Sequence, residues 1–529
     1  MVMGVSSVEI GCRVHFEGEF GTVLYVGPIE GVDGTWLGVE WDNLTRGKHS
    51  GCYNNINYFQ TSIPNAGSFI RQSKADLGIS CPKAVRLKYG HEDASSVTPT
   101  YIYLPQKSGP ERHVEMVGMK KIMGKQSNFH SLTNVVLSKM LINDPGEVNE
   151  LKELIPNVRD LDLSQNLLSS WKSVNEIVEQ LPSLDTLILS KNRLQIPESP
   201  EHLDCYKNVK TLVINDMAYD WRKILTCAMM WPDVENLSVK DNYISNLDCP
   251  LYSMLSNLSC LSLNNNCIIS WSEICKLGIL QSLKELQLDN IELCSIEFIA
   301  VSPLEKTELF RNLESLFVKN NWLKKWQDIS ELNKLISLKN LVVTNNPVLS
   351  LESPETCRQY IIAKIQNLER LSRTEVERSE RRGAELDYIK KFYKDWLLDD
   401  CSKCEIHSKS TSPFLTLHPT YPELLKKHGI PDESEFKVKS TLIKDNLVFV
   451  QFFCPSSPSK PQLSKKLPAE MTIGKLKALV KRLFKVPSLE VKLSIISNDD
   501  TSQRTDLNNN LRQISFYSIS DKDKIAVEW

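Results

Sequence analysis

Between residues 130 and 350, aliphatic and polar positions alternate in short bursts that return about every 25 residues. The recurring frame is Leu-x-x-Leu-x-Leu-x-x-Asn, with Val accepted at the aliphatic positions. It is filled by Val158, Leu161, Leu163 and Asn166, by Leu184, Leu187, Leu189 and Asn192, and by Val234, Leu237, Val239 and Asn242. It returns as Leu258, Leu261, Leu263 and Asn266, as Leu313, Leu316, Val318 and Asn321, and as Leu338, Leu341, Val343 and Asn346. Two copies, Val209-Leu212-Ile214 and Leu283-Leu286-Leu288, place Met217 and Ile291 at the Asn position, and a looser first copy uses Leu132, Val135 and Leu137. Each burst predicts a short strand with its aliphatic residues turned inward, followed by a turn whose backbone groups the Asn side chain satisfies. A single copy cannot stand alone. Three or four buried aliphatic side chains contribute about 1.5–3 kcal/mol each, whereas ordering its backbone costs about 1–2 kcal/mol per residue.

Stacked copies predict a curved α/β leucine-rich repeat solenoid over residues 130–371, closed by a helical cap between Asn346 and Leu371. The positions between the aliphatic ones, Asp162, Thr186, Ser238, Lys240, Ser262, Gln287, Lys319 and Val342, are expected to line its concave face. Trp171, Trp271, Trp322 and Trp326 follow the Asn positions and are expected to pack between the strand and convex sides. Leu386, Ile389, Phe392 and Trp396 recur at helical spacing after the cap. His418–Pro422 and Lys426–Pro431 then read as extended chain, so residues 372–439 are expected to be a helical and extended linker. From residue 440 the order changes to a strand at Leu447–Phe453, an amphipathic helix at Thr472–Phe484 and strands at Val491–Ile496 and Ile525–Trp529. This order resembles a ubiquitin-like β-grasp domain over residues 440–529, although the chain ends in Val527-Glu528-Trp529 where ubiquitin has Gly-Gly.

Composition narrows the picture further. The chain has 529 residues, too many for one core, and a formal net charge of -2, which gives bulk electrostatics no nucleic acid or membrane to attract. No basic start with an apolar run opens the sequence, and no stretch of apolar residues is long enough to span a bilayer. The 14 cysteines are scattered, as expected of reduced thiols in a cytoplasmic protein. Cys401-x-x-Cys404 with His407 is the only metal-like spelling and is expected to be incidental without a second pair. No phosphate loop, nucleophile elbow or catalytic cysteine motif occurs, so no enzyme activity, catalytic residue, metal or cofactor is expected.

The remaining signal is a loop, Arg46-Gly47-Lys48-His49-Ser50-Gly51, set between Trp36–Asp42 and Asn57-Tyr58-Phe59. Its glycines permit a tight turn and close approach, Lys48 offers charged donors, and the flanking aromatics can wall a groove. The stretch is not a phosphate loop, because Asp42 stands where that motif needs its first glycine. Residues 1 to 80 carry five Lys and Arg against eight Asp and Glu, leaving Arg46, Lys48 and His49 as the local positive cluster. Together with Gly18, Gly21-Thr22-Val23 and Gly67-Ser68-Phe69-Ile70-Arg71, the loop resembles the CAP-Gly domain, a small β-barrel-like fold, here assigned to residues 1–82 with a linker at 83–129. The family's loop reads Gly-Lys-Asn-Asp-Gly. Here Ser50 replaces the acidic residue, and Thr61 stands where the family often has cysteine. The resemblance implies that Gly47, Lys48, His49, Ser50, Gly51, Trp36, Phe59 and Phe69 bind the acidic, aromatic-ended tail of tubulin.

A CAP-Gly module, a leucine-rich solenoid and a ubiquitin-like end, in that order, is similar to the tubulin-folding cofactors. That resemblance implies a cytoplasmic, cytoskeleton-associated chaperone whose partners are α-tubulin, the αβ-tubulin heterodimer and sibling cofactors, with the proteasome as a further partner for the ubiquitin-like end. The alternative is a microtubule-associated adaptor that uses its CAP-Gly module only for localisation.

Overall fold

A computed structural model describes residues 8–90, 128–198, 200, 203–251, 254–299, 301–399, 412–431, 447–456, 461–486, 491–496, 504–517, 519 and 523–529, together with the backbone of Tyr101–Leu104 and Arg112–Glu115. Cys401, Cys404 and His407 lie outside the described residues. Two compact units emerge, Met1–Ile430 and Pro431–Trp529.

The first unit opens with a four-stranded antiparallel sheet of Arg13–Phe16, Glu19–Ile29, Val32–Trp41 and Gly67–Arg71, in that order. Alternation divides its residues between two faces. Val14, Val23, Leu37, Val39, Trp41 and Ile70 form the core on one side, while Gly38 pairs with Phe69 and with Tyr25 on the other. Arg13 is buried and paired through both guanidinium nitrogens with Asp42, closing the end of the sheet.

The passage from this sheet to the solenoid departs from the expected linker. Ile79–Ser80 pairs in parallel with Ile142–Asp144. The helix Cys81–Tyr89 then turns Cys81, Ala84, Val85 and Tyr89 into the solenoid core. Tyr89 Oη accepts the Val136 amide at 2.9 Å, and Arg86 pairs with Glu150 at 2.6 Å. Residues 83–89 are therefore part of the solenoid's first cap, not of a tether. The lysines and arginine between the apolar positions hide this narrow stripe from sequence reading, and the exposed first edge of the array is what it covers.

The solenoid itself follows the repeat frame. Its sheet has eleven strands, parallel from Asn134–Val136 to Arg370–Leu371, with Thr374–Glu375 added antiparallel. Leu161, Leu187, Leu212, Leu237, Leu261, Leu286, Leu316 and Leu341 align across neighbouring strands. Each frame asparagine is buried and reaches back to the preceding copy. Asn266 Oδ1 accepts the Asn242 and Ile244 amides at 3.0 Å, and its Nδ2 donates to the Val239 and Leu263 carbonyls at 3.1 and 2.7 Å. Met217 and Ile291 lack this amide, but their own backbone N–H groups are taken by Asn242 and Asn321 of the following copies. Of the concave positions expected from the pattern, Ser262 is buried and the others are half-buried or exposed. Trp171 and Trp271 are buried and Trp326 is half-buried, as packing residues should be, whereas Trp322 is 56% exposed.

At its far end the unit departs from the expected extended linker. Pro413–Leu417 and Tyr421–His428 are helices, and with the helices Pro354–Lys364 and Arg378–Leu398 they enclose a second core of Tyr360, Tyr388, Ile389, Phe414, Leu415, Tyr421 and Leu424. Pro413 and Pro422 fall in the first turns of their helices, where the missing N–H costs nothing, so they start helices there and do not break them.

The second unit is a five-stranded sheet ordered Leu463–Pro468, Leu447–Phe453, Lys524–Glu528, Lys492–Ile496 and Arg504–Asp506. Its central pair is parallel. The helix Ile473–Phe484 packs Ile473, Leu476, Val480 and Phe484 against Phe452, Leu493, Ile525 and Val527, giving the β-grasp arrangement. Among the described residues, no helix is long and apolar enough to cross a membrane.

Candidate peptide-binding loop

The loop Gly47–Gly51 is held by its backbone against the start of the last strand of the sheet. Lys48 and His49 both donate their amides to the Gly67 carbonyl, at 2.7 and 3.2 Å, and His49 accepts the Gly67 amide at 2.8 Å. Both glycines are required by space. A Cβ on Gly47 would lie 2.0 Å from the Asn65 carbonyl oxygen, and one on Gly51, where φ is +112°, would lie 1.8 Å from that of Phe59.

Side chains finish the bracing. Ser50 Oγ accepts the Asn65 amide at 2.9 Å, so the residue that replaces the family's carboxylate still ties the loop to its neighbour. His49 Nδ1 accepts the Gly51 amide at 3.0 Å. That bond needs an unprotonated Nδ1, and partial burial together with the Lys48 charge holds the imidazole pKa below its ordinary value. His49 therefore acts as a neutral brace.

Aromatic rings gather beside the loop on the sheet face opposite the core. Phe69 is surrounded by His49, Phe59 and Tyr58 at centroid distances of 5.0, 5.3 and 5.6 Å, with Tyr25 and Tyr53 at 6.4 Å. Gly38 makes room for this cluster, since a Cβ there would sit 2.3 Å from the Phe59 ring. Tyr58 Oη accepts the Glu30 amide at 2.9 Å, and Tyr25 Oη donates to the Pro28 carbonyl at 2.6 Å, so the rims are held as well.

The geometry redistributes the roles expected from the sequence. Trp36 projects from the same face as Gly38, one pleat further on, but its ring contact is the Arg71 guanidinium at 4.7 Å. Arg46 does not join the positive cluster. Its guanidinium lies 4.5 Å from the Trp41 ring and pairs with Glu17 at 3.0 Å. With Arg46 committed elsewhere and His49 neutral, Lys48 is left as the loop's available cation. It is exposed and makes no ion pair among the described residues. Tyr25 and Tyr53 were not singled out by motif reading. The signal for Tyr25 was its place in an alternating strand, while Tyr53 sits in the short hairpin Cys52–Asn57, which only the fold folds back onto Phe69.

Comparison with known proteins agrees with this architecture. The sequence pattern of the CAP-Gly domain matches residues 10–75. Tubulin-specific chaperone E of Xenopus laevis is 39% identical over 520 residues, covering 98% of each chain, and that of Danio rerio is 38% identical over 523 residues, covering 98% of this chain and 99% of its own. Among solved structures, the C-terminal ubiquitin-like domain of mouse tubulin-specific chaperone E is 36% identical and covers 16% of this chain and 87% of that one, with a TM-score of 0.15 over the whole. Likeness of this degree, running nearly from end to end, places the chain in the tubulin-specific chaperone E family.

Proposed function

We propose that this protein is a cytoplasmic, cytoskeleton-associated tubulin-folding chaperone that grips α-tubulin by its acidic C-terminal tail and by its body, and takes part in assembling and dismantling the αβ-tubulin heterodimer. The observation that carries this reading is Lys48, exposed and without an ionic partner among the described residues, next in the chain to His49, whose ring packs against Phe59 and Phe69. An acidic peptide ending in an aromatic residue would meet a cation and then an aromatic wall, with Gly47, Ser50, Gly51 and His49 keeping the loop in shape. One charge-assisted hydrogen bond contributes only about 1.5–3 kcal/mol, so the tail contact serves as a tether. The solenoid would supply the larger surface for the tubulin body. Tail loop and solenoid belong to one compact unit joined through Ile79–Tyr89, which favours a high effective concentration of the second grip once the first is made.

The protein acts by binding and not by catalysis in this reading. Sibling cofactors are its working partners, and the ubiquitin-like unit would face either one of them or the proteasome. Sedimentation velocity of the purified protein mixed with αβ-tubulin tests the proposal. A chaperone depletes the heterodimer boundary and creates species containing α-tubulin and this chain. An unchanged heterodimer boundary, with the protein recovered on microtubule pellets, would instead identify a localising adaptor.

A further inference from the structure

The second unit carries a cationic groove that the tail-binding loop does not account for. The last 90 residues hold fourteen Lys and Arg against nine Asp and Glu, in a chain whose total is -2. Part of that excess is gathered, not spread. Lys477, Lys481 and Lys492 line a cavity of about 430 Å³, floored by Gly474, Ala478 and Val491 and edged by Asn510. Lys477 and Lys481 stand four residues apart on one face of the Ile473–Phe484 helix, and Lys492 opens the neighbouring strand. Neither Lys477 nor Lys492 forms an ion pair among the described residues, and Lys477 is drawn half into the groove. Among the described residues, no aspartate or glutamate lines the cavity. Gly474 lets the Asn510 backbone close one end of the groove, its amide donating to the Asn510 carbonyl at 2.9 Å, and the small, exposed Ala478 keeps the helix surface low between the lysines.

The sheet contrasts with this groove. Arg504 there donates to Ser494 Oγ at 2.8 Å and pairs with Glu528 at 2.7 Å, so its charge is answered internally. Three lysines converge on this one groove, two of them, Lys477 and Lys492, without an ion pair among the described residues, and charge complementarity selects its occupant. We infer that the groove formed by Lys477, Lys481 and Lys492 is a docking site for an extended Glu- and Asp-rich segment of a partner protein, separate from the tail-binding loop.

The test uses the full chain carrying Lys48→Ala, so that the loop is weakened at the start, and a fluorescein-labelled decamer of glutamate with an amidated end. Anisotropy titration should still give salt-sensitive binding. Adding Lys477→Glu and Lys492→Glu should weaken it by about tenfold or more, because like charges then face the peptide. Lys475→Glu with Arg482→Glu makes the same net charge change outside the groove, and its effect should be about twofold at most. Lys477→Gln with Lys492→Gln serves as a milder pair, expected to fall between these limits, and thermal melting checks that each variant folds. Equal losses from the two charge-reversal pairs, or no loss from the groove pair, would overturn the site. So would an oligonucleotide of equal charge that binds the same lysines more tightly than the peptide.

Discussion

Two lysines of the first unit sit in opposite physical situations. Lys48 projects from a loop that its backbone ties to Gly67, and its side chain is exposed with no ionic partner among the described residues. Lys364, at the other end of the unit, is 1% exposed and fully engaged. It donates to Leu417 O at 2.5 Å and to Ser330 Oγ at 2.8 Å, and the Tyr388 ring lies 5.5 Å away. Burial lowers its pKa to about 7. Charge alone does not distinguish a binding residue from a structural one. What distinguishes them is whether the fold has already answered the charge.

The largest expected break in this contrast comes from the loop's backbone. Gly51→Ala puts a side chain at positive φ and against the Phe59 carbonyl, and should destabilise the N-terminal sheet region by about 3 kcal/mol or more. Hydrogen exchange of Tyr58 and Gly67, whose amides the loop secures, is the readout, together with loss of tail-peptide binding.

The buried lysine gives the next effect, with a defined sign. Its folded pKa of about 7 lies below the ordinary lysine value of 10.5, so between those values the unfolded chain binds more protons and stability rises with pH. The groups facing it titrate outside that window. Burial, then the Lys364 charge, lowers His418 to about 3, and burial raises Tyr388 well above its ordinary value. Melting followed from pH 7 to 9.5 should show a rise of at most about 1.4 kcal/mol per pH unit from this group, and Lys364→Met should remove that component. A rise of equal slope in the variant would mean that Lys364 is not the titrating group. Ser50→Ala is the smallest of these changes. Losing the acceptor for the partly exposed Asn65 amide should cost about 1 kcal/mol, and tail affinity should fall only slightly if bracing is all that Ser50 does.

The same contrast explains what the sequence could and could not disclose. The solenoid was legible because its signal is periodic: every frame leucine aligns with the next, and every frame asparagine performs the same backbone task. The loop was legible as a motif, but its electrostatics were not. Arg46 has the spacing of a ligand-binding cation and is spent on Trp41 and Glu17, contacts between residues up to 29 apart that no local pattern encodes. The helices at 413–428 were hidden by their prolines, which mark helix starts and extended chain with the same letter. Their burial depends on partners such as Tyr388 and Ala363, which donate or accept across the fold, as when Thr420 Oγ1 donates to the Ala363 carbonyl at 3.0 Å. Trp322 was missed in the other direction: Trp171, Trp271 and Trp326 stand five residues after their frame asparagines, whereas Trp322 directly follows Asn321, a position that is exposed, as Tyr243 after Asn242 also is.

The most direct test of the tail-gripping role is calorimetric titration of an α-tubulin C-terminal peptide into the full chain and its Lys48→Ala variant, with melting temperatures recorded alongside. Loss of one charge-assisted bond, about 1.5–3 kcal/mol, predicts an affinity about 10- to 150-fold weaker with a melting temperature nearly unchanged at neutral pH, because the Lys48 side chain makes no ion pair among the described residues. Equal affinity in the two proteins would contradict the assignment of Lys48 as the residue that holds the tail.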